Sequence, residues 1–181
     1  MRVRAAVLGA MALAVSACGK PAAPPVLVEA GEVEPRVFWG HDLEGQRIAV
    51  DGYIGLDNGP NGDAIAMGQV LTTQPMGAGE QLLRFDLRRG DGPNQVNFPV
   101  VSSRPIAETP MRVQTVDLSK ATFHDRAGAS HPLSDKVRLT ARLRYERVKG
   151  YLLSDDDTRS LTGKRFKPRL TEIVLEPSPV G

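Results

Sequence analysis

The chain has 181 residues, with 23 Lys plus Arg against 21 Asp plus Glu, one Cys, 18 Gly and 14 Pro, the size of one modest domain with a tail. That length excludes a typical TIM barrel or a two-domain dehydrogenase. A single cysteine excludes an internal disulfide, a Cys-based zinc cage and a thioredoxin-like Cys pair, which leaves only lone-thiol chemistry.

Arg2 and Arg4 make a basic start, residues 5–15 carry no charge, and Val15, Ser16 and Ala17 lead directly into Cys18. An apolar run this short reads as a secretory signal and is too short for a stable spanning helix. The tetrapeptide VSAC resembles the lipobox of bacterial lipoproteins: a branched apolar residue, two small residues and the cysteine that becomes residue one of the mature chain. That resemblance implies a signal peptide over residues 1–17 and a thioether-linked diacylglycerol on Cys18, with a further acyl chain on its amine. Two or three chains anchor stably where one would be marginal. Gly19 in place of an Asp after the cysteine implies sorting to the outer membrane, facing the periplasm. Removing residues 1–17 takes away Arg2 and Arg4, so 23 basic residues become 21 against 21 acidic ones and the formal net charge falls to zero. The basic balance of the precursor is therefore no argument for nucleic acid.

Residues 18–32 are expected to form the lipidated N-terminus and a Pro/Ala-rich tether, since GKPAAPP at 19–25 has little to bury and favours a semi-extended chain. The folded domain is expected over residues 33–176, with 177–181 as a flexible tail. Residues 34–44 and Arg104 to Thr109 are each expected to hold one short helical turn. No amphipathic pattern of three helical turns follows Cys18, and there is no internal repeat.

The dominant periodicity is two. Ile48, Val50, Ile54 and Leu56 alternate with Asp51 and Tyr53, and Gly52 interrupts the apolar face as at a bulge or bend. Leu83, Phe85 and Leu87 alternate with Arg84, Asp86 and Arg88. Val137, Leu139, Ala141, Leu143 and Tyr145 alternate with Arg138, Thr140, Arg142 and Arg144. Such runs predict antiparallel sheet with one wet face. Weaker strands are expected at 64–73, 95–101, 111–118, 121–124 and 169–176, with Pro99 confining its run to an edge or a strand end. Turn clusters lie between them: DNGPNGD at 57–63, MGAGE at 76–80, RGDGPN at 89–94 and DRAG at 125–128.

Short strands with dense Gly and Pro predict an all-β fold. LEGQRIAVDGYI at 43–54 resembles the opening of bacterial OB-fold domains, where a turn feeds a long first strand bent at a glycine, and VRLTARLRYERVKGYLL at 137–153 is similar to a long closing strand of that fold. The resemblance implies a small OB-like barrel of about five to seven strands. An Ig-like β-sandwich is the alternative, weakened by the missing Cys, Trp, Cys framework. Trp39 followed by LEGQRIAVDGYI, and Pro93, Asn94 and Gln95 before an apolar strand, are also similar to a family of bacterial secreted proteins with a related Gly-Tyr strand and Pro-Asn-Gln stretch. The cysteine and histidine that precede that stretch in the family are missing here, so no metal or redox role carries over.

The three histidines are His41, His124 and His131, with Asp42, Asp125 and Asp135 nearby. None matches a known ligand spacing, and turn polarity explains His124 and His131. No metal site and no cofactor is expected. Asp57, Asn58, Asn61 and Asp63 offer oxygens to a calcium ion, but Gly59 stands where an EF-hand needs its second ligand, so a wide hairpin connection is expected. Asp155, Asp156 and Asp157 read as a solvated turn. There is no Gly-x-Ser-x-Gly elbow, no Ser-x-x-Lys and no phosphate-cradling glycine motif, so nothing in the sequence supports an enzyme.

Charge is segregated along the chain. Residues 134–169 hold 11 basic and 5 acidic residues, while the rest of the mature chain holds 10 basic and 16 acidic. Arg138, Arg142 and Arg144 share one face of a strand, so their fields add. With Tyr53 they are the candidate contacts of a membrane-anchored binding module for an envelope protein, glycan or anionic lipid. The alternatives are a metal-dependent envelope hydrolase built on the three histidines and a purely structural accessory subunit. Single-stranded nucleic acid is disfavoured by the compartment and by only nine aromatics, too few to make a stacking platform. Oligomeric state is open.

Overall fold

A computed structural model describes residues 23–39, 42–56, 63–64, 68–105, 112–147, 159–161 and 164–179. Its strands are β1 Val26–Leu27, β2 Arg47–Leu56, β3 Asp63–Ala64, β4 Gln69–Thr72, β5 Gln81–Phe85, β6 Val96–Asn97, β7 Val100–Pro105, β8 Arg112–Val116, β9 Thr122–His124, β10 Ser130–Pro132, β11 Val137–Arg147, β12 Arg159–Leu161 and β13 Lys164–Pro177. The fold is all-β. The main sheet has seven strands in the order β12-β13-β11-β2-β4-β5, with β1 added beside β2, and two three-stranded sheets, β10-β9-β6 and β3-β8-β7, stand apart from it.

β2 is the hinge of the main sheet, and Gly52 is the reason. Residues Arg47 to Gly52 pair with β11, whereas Tyr53 to Leu56 pair with β4. A Cβ on Gly52 would lie 2.7 Å from Leu71 Cγ and 2.8 Å from the Thr72 carbonyl oxygen, closer than any side chain tolerates. The strand therefore bends where its side chain is missing, and its apolar residues Ile48, Val50 and Ile54 stay fully buried on both sides of the bend.

The expected alternation holds in β11, where Val137, Leu139, Ala141 and Leu143 are fully buried. Tyr145 reaches the main-chain carbonyl of Val37 with its hydroxyl. In β5 both Leu82 and Leu83 are buried, because the register with β4 shifts between Leu71 and Thr72 and leaves Leu82 as the extra residue. These side chains join Val33, Val37, Leu43, Phe123 and Leu175 in one core.

Four details differ from expectation. Ordered structure begins before residue 33: Val26 and Leu27 pair in parallel with Ile48 and Ala49, and Val28 is 1% exposed, so the packed chain includes residues 26–28. Val28, and in part Val26, supply the burial here, while Leu27 is exposed. Arg104 lies in strand β7 and not in a helical turn; residues 106–109 lie outside the described residues. Pro99 splits its run into β6 and β7, which belong to different sheets, because proline removes a ladder donor. Finally, the barrel does not close among the described residues: the path of the main sheet ends at β5 on one side and at β12, which pairs with residues 164–166 of β13, on the other, and no pairing joins β5 to β13 or β12. The turn expected at 34–44 is present as a π turn over Glu34–Phe38.

Candidate functional site

Cross-strand register decides which of the candidate side chains are available. Arg138 faces Asp51 on one side and Glu176 on the other. Its guanidinium holds Asp51 with two hydrogen bonds, Nε to Oδ1 at 2.8 Å and Nη2 to Oδ2 at 2.7 Å. That hydrogen bond, ahead of the Arg138 charge itself, holds the Asp51 carboxyl below its ordinary range against the opposing effect of burial. Arg138 is thus a structural cation. Tyr53 lies beyond the end of β11, opposite Thr72, and its carbonyl accepts the Thr72 hydroxyl at 3.2 Å.

Arg142 is partly committed. It donates from Nε to Glu172 Oε1 at 3.0 Å and from Nη1 to the Gly45 carbonyl at 2.9 Å. Glu172 sits at φ 53°, where β13 carries its bulge opposite Thr140 to Arg142; a non-glycine residue in the left-handed region is uncommon. Arg144 is exposed and lies over Gly45, its Nη1 3.5 Å from the place a Cβ would take there.

The candidate residues therefore do not form one patch. Arg138 and Arg144 are separated by roughly 20 Å along the strand, with Tyr53 beyond the Arg138 end. What gathers at the Arg144 end was hidden in the sequence: Arg47 is opposite Arg142, Arg169 is opposite Arg144, and Lys167 is opposite Glu146. Arg169 also makes an ion pair with Glu146, and Arg47 Nε is buried with no hydrogen-bond partner among the described residues. Five cations, Arg47, Arg142, Arg144, Lys167 and Arg169, thus share this end of the face with two carboxylates, Glu146 and Glu172. Only β-sheet register reveals this, since Arg47 lies 95 or more positions from the others.

Beside this end runs the gap between β5 and β13. It holds two clefts. One, of about 200 Å³, lies among Val33, Phe38, Leu82, Lys167, Pro168 and Leu170. The other, of about 390 Å³, lies among Leu87, Arg88, Asn94 and residues Leu170 to Ile173. The Pro-Asn-Gln stretch forms a clasp at its far end. Asn94, at φ 53°, accepts the Leu175 N–H on Oδ1 at 2.8 Å and donates its own N–H to the Asp125 carbonyl at 3.1 Å. The Gln95 carbonyl accepts the His124 N–H at 2.9 Å.

His124 and His131 do not converge. His124 pairs with Ser130 and His131 with Phe123, which places the two imidazoles on opposite faces of the small sheet. His131 stacks on Phe123 at 5.0 Å and meets Asp125 Oδ2 at 3.2 Å. This contact, the largest influence on Asp125, lowers its carboxyl pKa, and Asp125 Oδ1 also accepts the N–H groups of Ala127 and Ala129. The DRAG segment is a turn closed on its own aspartate. Among the described residues no three His, Cys, Asp or Glu side chains gather to hold a metal. His41, Cys18, Asp57, Asn58, Asn61 and Asp155 to Asp157 lie outside the described residues; Asp63 lies in β3.

No helix among the described residues is long and apolar enough to cross a membrane. No protein family, curated protein or solved structure matches this chain.

Proposed function

We propose that this chain is a lipid-anchored binding module of the bacterial envelope, held in the outer membrane through Cys18 and taking an anionic partner on the Arg144 end of the β11–β13 face. The observation that carries the reading is the crowding of Arg47, Arg142, Arg144, Lys167 and Arg169 around two carboxylates. Like charges placed opposite one another across strands cost stability, and Arg144 faces Arg169 directly. An arrangement that folding alone disfavours is explained if an anion relieves it on binding. The module needs no catalytic group, and the hydrolase reading has less behind it because His124 and His131 lie on opposite faces of their sheet.

Polyglutamate tests the charge reading and mass spectrometry the anchor. The lipidated chain in non-ionic detergent should bind polyglutamate at low salt and release it as salt rises. Reversing Arg144 and Lys167 together, R144E with K167E, should abolish binding and leave the melting temperature nearly unchanged. Cys18 should carry the mass of the acyl chains, and Cys18→Ser should leave the detergent phase. Equal polyglutamate binding by the double variant removes the proposed face; an unmodified Cys18 removes the anchor.

A further inference from the structure

The outer edge of β13 is bounded at both ends. β12 covers residues 164–166. At the other end Leu175 turns both main-chain groups away from β11, giving its N–H to Asn94 Oδ1 at 2.8 Å and accepting the Arg126 N–H at 3.0 Å. Between these stops, residues 167–173 take no strand on that side among the described residues, a window of roughly 20 Å at about 3.3 Å per residue. In an antiparallel pair alternate residues turn their N–H and C=O outward, so such a window presents a row of main-chain acceptors with donors between them, except at Pro168, which has no N–H to give.

Across the gap β5 has a strand, β4, on one side only among the described residues. Past it the chain is taken up again when the Arg88 carbonyl accepts the Val96 N–H at 3.2 Å. The two clefts give the relative direction. Residues Glu80 to Arg84 share the first with Lys167 to Leu170, and Asp86 to Arg88 share the second with Leu170 to Ile173. The two edges therefore run parallel, and one strand entering antiparallel to both would complete the ladder.

We propose that this slot takes an extended acidic segment of a partner protein by strand addition. Alternate apolar side chains would point inward over Phe38, Pro168 and Leu170, the half-buried apolar residues of the first cleft, and alternate carboxylates outward beside Lys167 and toward Arg144. Main-chain pairing supplies affinity and the alternation supplies specificity. Charge complementarity favours an acidic segment on the outward side: the outward residues of β11 and β13 next to the window are Arg142, Arg144, Lys167 and Arg169, against Glu146 and Glu172, and the clefts add Arg84 and Arg88 against Glu34, Glu80 and Asp86. The inference rests on the anionic-partner reading and names the form of that partner.

The test uses the lipidated chain in non-ionic detergent and a labelled peptide of about eight residues alternating valine and glutamate, long enough to fill the window. Two controls replace glutamate by lysine or methylate alternate peptide nitrogens. The Val-Glu peptide should bind, and each control should bind at least about tenfold more weakly, the loss of one to two net hydrogen bonds for the methylated form. Binding should protect amides in 81–87 and 167–173 from hydrogen exchange. Ala30→Trp, on the exposed rim of the first cleft, should weaken binding about tenfold without changing the melting temperature. Equal binding of the methylated peptide, or no protection in the two windows, overturns strand addition while leaving the anionic face in place. So does failure of the Val-Glu peptide when polyglutamate still binds. Failure of both removes the anionic face as well.

Discussion

Arg138 and Asp51 are joined by two hydrogen bonds across β11 and β2, at 2.8 and 2.7 Å, with side-chain exposures of only 24% and 16%. A strand cation with this geometry serves the fold and not a partner. Charge-assisted bidentate pairs are the stronger kind, and removing one member leaves the other desolvated without its bond.

Arg138→Ala should therefore lower stability by about 2 kcal/mol, and Arg138→Glu by more, since it sets two carboxylates together. Neither should alter polyglutamate binding. Because Asp51 titrates below its ordinary range in the folded state, its contribution is complete above about pH 3.9, the unfolded value. It is lost as pH falls through the depressed folded value. Urea unfolding between pH 6 and pH 2 should show a shallower acid decline for Asp51→Asn than for the wild type.

Gly52→Ala should be one of the most disruptive small substitutions in the chain. The added methyl meets the Thr72 carbonyl oxygen at 2.8 Å as well as Leu71 Cγ at 2.7 Å; a side chain can turn aside, but a paired backbone carbonyl cannot. A loss of about 1–3 kcal/mol is expected, read as a drop in melting temperature. An unchanged melting temperature would show that β2 does not need to bend there.

At Asn94 two effects can be separated by two variants. Asn94→Gly keeps the left-handed backbone and loses the bond to the buried Leu175 N–H, at a cost of about 1 kcal/mol or somewhat more. Asn94→Ala loses the bond and also strains the backbone, adding about 1 kcal/mol. The ordering wild type, Gly, Ala in denaturant midpoints is the check; Ala equal to Gly would mean that the conformation carries no strain.

Tyr145 has its phenol pKa pushed up to about 12, first by burial and then by the nearby Asp42 and Glu44 carboxylates. A raised folded value means that the folded state holds the proton more tightly, so stability falls as pH rises from about 10, the unfolded value, toward 12. Tyr145→Phe should cost about 1 kcal/mol at neutral pH by leaving the Val37 carbonyl without its donor. The variant should also lose the part of the alkaline decline that Tyr145 causes. A parallel decline in both proteins would assign it to other groups.

Much of the architecture was legible in the residues. The β2 run, its glycine bend and the buried face of β11 follow from period-two alternation, a local property that one strand displays by itself. The strand ends are less legible: a bulge at Leu82 shifts the period of two, and the proline-rich stretch before Val26 to Val28 masks their pattern. The site was legible only in part. Arg138, Arg142 and Arg144 share a face as alternation requires, yet alternation says nothing about what stands opposite each.

The sequence by itself carries the VSAC tetrapeptide on which the proposed anchor rests, and it determined the all-β class and the place where the first long strand bends, because each depends on residues adjacent along the chain. The tertiary structure alone decided that Asp51 occupies Arg138, that Arg47, Lys167 and Arg169 join Arg144, and that β5 and β13 face each other unpaired. These depend on register between strands far apart in sequence, and register is set by the whole buried face at once. A slip of one residue would exchange every inward and outward side chain on β11, so no local pattern could have named the neighbours.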